Sequence, residues 1–163
     1  MRLIIFWMFF AMNTCFGSQE LYLRKLYYES VTNKDSSEKF SEIMEALDVK
    51  KNPILLCYKG MSYMMQAKHS INPVSKLSAF NKGKEYLELA AKYDSESVEV
   101  RFMRFAVQTN APSMLSYSQH VNEDKSLILK VWSSVADIDL KQKIKDFMLK
   151  STYCSTIEKS VFK

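Results

Sequence analysis

A chain of 163 residues, 47% of them hydrophobic, is long enough for one domain with a real core and short for two. Three glycines and three prolines leave little room for turns, and the abundance of Leu, Lys, Glu, Ser, Met and Ala favours an all-α protein. The formal charge of +5 is spread through Lys/Glu mixtures such as NKGKEYLELAAKY and LKQKIKDFMLK, the pattern of a solvated surface and not of a basic block.

The first twenty residues, MRLIIFWMFFAMNTCFGSQE, combine a basic start at Arg2, an apolar run from Leu3 to Met12 and small residues near the end. This is the form of a secretory signal peptide over 1–17, cleaved after Gly17 with Cys15 and Gly17 at the recognition positions. An apolar run of roughly ten residues is short of the about 20 that a permanent membrane-spanning helix needs. Two alternatives use the same residues: an uncleaved anchor, or a lipid on Cys15, for which Asn13-Thr14 is a poor preceding pair. The rest of the chain holds no segment apolar for long enough to cross a membrane, so an exported protein, periplasmic or secreted, is expected. Such a chain does not meet nucleic acid in its normal work.

Beyond the signal, ELYLRKLYYESV predicts a first helix. Asp35 with Glu38 three residues later forms a capping signature, and Phe40, Ile43, Met44 and Leu47 follow at helical spacing, which predicts a helix from about Ser36 to Leu47. Asn52-Pro53 and Asn72-Pro73 each supply a cap and a first-turn proline. They open a third helix, Pro53 to about His69, and a fourth, Pro73 to Tyr93. The third is apolar over more than half its circumference, with Lys59, Ser62, Gln66 and His69 as its polar stripe, so it needs neighbours on several sides. In the fifth helix, from Val98, one face carries Val98, Phe102, Phe105 and Ala106. A second, roughly opposite, carries Val100, Met103 and Val107, and Arg101, Arg104 and Gln108 share the stripe between. Asn110-Ala111-Pro112 ends it. Asn122 is expected to cap a sixth helix through Trp132, and Asp137 a seventh bearing Leu140, Ile144, Phe147 and Met148. A single domain over 18–150 is expected, with 151–163 as a tail to which no element is assigned. Cys57 and Cys154 would be free to bridge outside the cytoplasm, but their different settings favour two separate thiols.

Leu56, Gly60 and Tyr63, followed by Gly83, Leu87 and Ala90, match the large, small and aromatic pattern of a helix-turn-helix repeat. Over Pro53 to Ser97 the chain resembles tetratricopeptide proteins, with an insertion between the half-motifs, Lys59 at a usually aliphatic position and no closing proline. Over its whole length it is also similar to short exported bacterial proteins without an assigned activity. The resemblance implies about seven helices in antiparallel hairpins, a right-handed stack and a concave binding face.

Only His69 and His120 are present, which excludes a histidine-rich metal site, and no HExxH, paired CxxC, glycine-rich phosphate loop or GxSxG elbow occurs. No cofactor and no catalytic activity are expected. Glu85, Glu88, Asp124 and Asp146 fall at positions expected to face solvent. His69 reads as a helix C-terminal residue and His120 as a loop residue. In consecutive repeats Lys59, Ser62 and Gln66 would neighbour Arg101, Arg104 and Gln108 on the concave face, a surface suited to an acidic peptide or a protein of the cell envelope. The competing reading pairs Arg101 and Arg104 with Glu85, Glu88 or Glu99 as fasteners between helices. A purely structural helical domain or homodimer subunit, and an enzyme with a carboxylate site outside known motifs, are the remaining alternatives.

Overall fold

Capping side chains set where the helices begin in the computed structural model, which describes residues 19–163. Eight α-helices follow in order: α1 (19–30), α2 (Lys34–Ala46), α3 (Pro53–His69), α4 (Pro73–Tyr93), α5 (Val98–Asn110), α6 (Val121–Val131), α7 (Ile138–Lys150) and α8 (Thr156–Ser160). Single 3₁₀ turns occupy Ser113–Leu115 and Trp132–Ser134, and no strand occurs among the described residues. The expected all-α class is therefore observed. The signal-peptide expectation and Cys15 lie outside the described residues.

Asn52 and Asn72 cap α3 and α4 as expected, accepting from the backbone N–H of Leu55 (3.0 Å) and of Val74 and Ser75 (2.9 and 3.1 Å). Asp137 caps α7 through the N–H of Leu140 at 2.9 Å. Two expected caps differ. In α2 it is Asn33, not Asp35, whose side chain accepts from Ser36 N–H at 3.0 Å. In α6 the helix starts at Val121 behind His120 with no side-chain cap, so Asn122 stands inside its first turn. The residues after Lys150, expected to be a tail, fold: Ser155 and Glu158 form a reciprocal capping box at the start of α8, and Cys154 and Phe162 are buried on either side of it.

The most extensive contact is between α3 and α4, and α2 packs on α3, α5 on α6, and α5 also against α3, α4 and α7. The α3–α4 approach is set by glycine. A Cβ added at Gly60 would lie 2.9 Å from the Gly83 carbonyl oxygen and 3.0 Å from Leu87 Cγ, so these two helices meet backbone to backbone. The core divides into two clusters. Leu23, Tyr27, Phe40, Tyr58, Leu87 and their neighbours form the first, between α1 and α4. Phe102, Phe105, Ile128, Leu140, Ile144, Met148 and Phe162 belong to the second. Helix α5 serves both, with Val100, Met103 and Val107 turned to the first and Val98, Phe102 and Phe105 to the second, the two-sided helix its sequence predicts. Cys57 is buried in the first cluster and Cys154 in the second, and both are free thiols.

Candidate functional site

Arg101, Arg104 and Gln108 do share one stripe of α5, but the stripe is covered. Arg104 is 3% exposed and Arg101 6%. Opposite them stands Asp124 of α6, 0% exposed. Arg104 donates from Nε to Asp124 Oδ2 (2.8 Å) and from Nη2 to Oδ1 (2.7 Å), the two-pronged geometry that arginine offers a carboxylate. Its third nitrogen donates to Glu88 of α4 at 2.7 Å. Arg101 Nη1 donates to Asp124 Oδ1 (2.9 Å) and Glu123 (2.5 Å), and its Nε to the Ser95 carbonyl (2.7 Å). Gln108 Nε2 reaches Asp124 Oδ2 at 3.2 Å, while its Oε1 accepts from His120 N–H at 2.8 Å. Asp124 thus accepts four hydrogen bonds on two oxygens, all that a carboxylate can hold. Tyr117 donates to Glu88 at 2.7 Å, and His120 faces Glu123 (2.9 Å) and Glu88 (3.6 Å). Burial and the charge on Glu88 push the Tyr117 hydroxyl well above the usual tyrosine range. Burial disfavours the Arg104 cation, but its bonds to Asp124 outweigh that and raise its pKa.

The second half of the expected groove turns elsewhere. Lys59 bridges to α2, donating to the Met44 carbonyl and pairing with Glu45, both at 2.8 Å. Ser62 is buried and donates to the Lys59 carbonyl, and Gln66 donates to Ser41 of α2 at 3.2 Å. One polar stripe therefore faces α2 and the other α6, because each helix lays its polar side against the neighbour that offers matching groups. The expectation that Asp124 faces solvent is corrected, and Glu88 is only half-exposed; Glu85 and Asp146 are exposed as expected. Of the proposed fastener pairs, Arg104–Glu88 is present. Glu99 instead serves Arg24 of α1, 1% exposed, which grips both carboxylate oxygens at 2.9 Å. Arg24 also pairs with Asp137 (2.9 Å) and Asp139 (3.0 Å), and Tyr58 donates to Glu99 at 2.5 Å.

Arg24 and Tyr58 are not among the candidate site residues that spacing singles out, and Asp124 enters there only as an acid expected to face solvent. A signal for one of them exists: Asp124 shares a helix face with Val121 and Ile128, all three buried, and an acid on an apolar face announces a buried ion pair. Among the described residues no buried side-chain nitrogen or oxygen lacks a partner, and no cluster of His, Cys, Asp and Glu could hold a metal ion. His69 reaches the Ser30 carbonyl at 2.7 Å and joins the end of α3 to the end of α1.

The open ground is on the outer side of α4. Asn81, Lys84, Glu85, Glu88, Leu89 and Lys92 line a shallow depression of about 550 Å³. It offers two cations, the exposed carboxylate of Glu85 and one exposed leucine along the helix, with Glu88, already bonded to Arg104 and Tyr117, also lining it. Comparisons with protein families, with curated proteins and with solved structures find no match for the chain.

Proposed function

We propose that this chain is an exported, non-catalytic helical interaction domain whose hairpins stack in the tetratricopeptide manner and which holds a protein or peptide segment of the cell envelope against the outer side of α4. The observation that carries this reading is the contrast between two polar surfaces. On the α5 stripe Arg104 is bonded through all three nitrogens to Asp124 and Glu88, and Arg101 is held by Asp124, Glu123 and the Ser95 carbonyl, so an incoming carboxylate would have to compete with carboxylates already bound. The α4 surface has room, mixed charge and an apolar anchor, the ingredients of a peptide groove. Contacts of α3 with α5 and of α5 with α7, together with the Gly60–Gly83 approach at the small positions of the repeat pattern, support the stacking.

The test is crosslinking in cells of the tagged full-length protein, read by mass spectrometry, in wild type and in a Leu89→Asp/Lys92→Glu variant. Both positions are exposed, so helical circular dichroism should not change. A defined envelope protein held by wild type and lost in the variant is the expected result. Equal capture by the two forms would remove α4 from the reading.

A further inference from the structure

Between Val49 and Lys84 the sequence carries seven lysines and no aspartate or glutamate. The middle of this stretch forms the α3–α4 turn and the first two turns of α4, and every residue from Ile71 to Ser78 is exposed. Ile71 is 97% exposed, Val74 78% and Leu77 48%. They are not loosely held, since Asn72 caps α4 with two hydrogen bonds and Pro73 occupies its first turn. Lys68 and Lys76, both exposed, flank them. Three aliphatic side chains on a fixed corner, with cations and no local carboxylate, are unusual for a surface that meets only water.

Charge and shape select the occupant. The adjoining α1–α2 corner, joined here by His69 to Ser30, mixes Glu29, Asp35 and Glu38 with Lys34, so the single-sign region is the α3–α4 tip itself. The tip residues do not line the depression on α4, and the near-complete exposure of Ile71 and Val74 makes the tip project from its neighbours. A projecting corner with three exposed aliphatic side chains flanked by Lys68 and Lys76 fits the headgroup layer of an anionic bilayer, where the aliphatics leave water and the lysines meet lipid phosphates. No described helix is long and apolar enough to cross a membrane, so the contact would be peripheral.

We propose that the α3–α4 tip docks on an anionic lipid surface, with Ile71, Val74 and Leu77 entering the headgroup region and Lys68 and Lys76 pairing with phosphates. This is independent of the α4 groove. The test is flotation of the protein with phosphatidylglycerol vesicles and with phosphatidylcholine vesicles at low and high salt. Wild type should float with the anionic vesicles at low salt and be released by high salt. Ile71→Ser/Val74→Ser and Lys68→Gln/Lys76→Gln should each weaken the partition about tenfold or more. Ile138→Ser, at a side chain 84% exposed at the start of α7, should leave it unchanged. Binding that is the same for wild type and both tip variants, equal binding to neutral vesicles, or no binding at all would overturn the proposal.

Discussion

Asp124 has four donors on two oxygens and no contact with water, so its worth to the fold depends on every partner being present. Removing one side of a buried pair strands the other charge and costs about 3–5 kcal/mol. Arg104→Ala should lower stability by that order in urea unfolding. The double variant Arg104→Met/Asp124→Leu should lose clearly less than the sum of its two single changes, since it strands neither of these two partners, and Arg101 keeps Glu123 and Ser95. Acid should act on the same class of contacts. Glu123 is held below the ordinary glutamate value by His120 and then Arg101, and Glu45 by Lys59 and then Tyr63. At Asp137 burial pushes upward and the bond from Arg24 wins, so its pKa is lowered. A carboxylate depressed in the fold contributes stability that is complete above its unfolded value and disappears as pH falls through its folded one. Glu20, raised by burial and by Glu99, works in the opposite sense. The urea midpoint should therefore not fall between neutral pH and about the ordinary glutamate value of 4.5, where protonation of Glu20 favours the fold, and should fall below it. A midpoint that holds to pH 3 would remove these pairs from the stability account. The spacing of Arg101, Arg104 and Gln108 was legible because helical period alone sets a shared stripe. Their exposure was not, because it depends on which residue another helix places opposite.

At the scale of elements, legibility follows whether the deciding interaction is local. The starts of α3, α4 and α7 depend on an Asn or Asp and the N–H groups two or three residues on, and all three are readable from sequence. So are the two faces of α5, since an apolar stripe on each side of a helix has only one meaning. Helix α8 does carry a local signal, the Ser155–Glu158 capping box, but its five residues are held by Phe162 and Cys154 reaching the second cluster, an anchorage that no local pattern records. The turn before α6 was misread for a related reason: His120 is fixed by Gln108 of α5 and needs no cap of its own. At Gly60 one helix backbone closely approaches another. Alanine there gains helix propensity of about 1 kcal/mol, but its methyl would stand 2.9 Å from a backbone oxygen that cannot rotate away. Overpacking against backbone costs about 1–3 kcal/mol, and because α3 and α4 must separate to admit the methyl, the loss should dominate. Gly60→Ala is expected to lower the urea midpoint at unchanged slope; a rise would mean the two helices slide freely.

Two clusters in one chain raise the question of whether they fold as one. Helix α5 gives side chains to both, and Glu99 on α5 is where Arg24 of α1, Tyr58 of α3 and, through Arg24, Asp137 and Asp139 at the start of α7 converge. These partners are 75 and 115 residues apart in the chain, which is why the convergence is invisible to any reading by period or motif. Such a knot makes α5 a shared support. The Arg24→Ala variant separates two pictures of the molecule. If α1 were a detachable flap, losing Arg24 would release α1 and leave the second cluster untouched. If α5 is the common support, the variant strands Glu99 and weakens both clusters by about 3–5 kcal/mol in total. Trp132 packs against Phe162 in the second cluster, with ring centroids 4.9 Å apart, and reports on that cluster alone once Trp7 is replaced by phenylalanine. Far-UV circular dichroism reports on all the helices. In the parent chain the two signals should change at one urea concentration, and in Arg24→Ala both should move down together. A Trp132 midpoint that stays in place while the circular dichroism midpoint falls would show two independently stable halves. Coincident displacement would mean that one buried arginine on the first helix sets the stability of a cluster built from the fifth to the eighth.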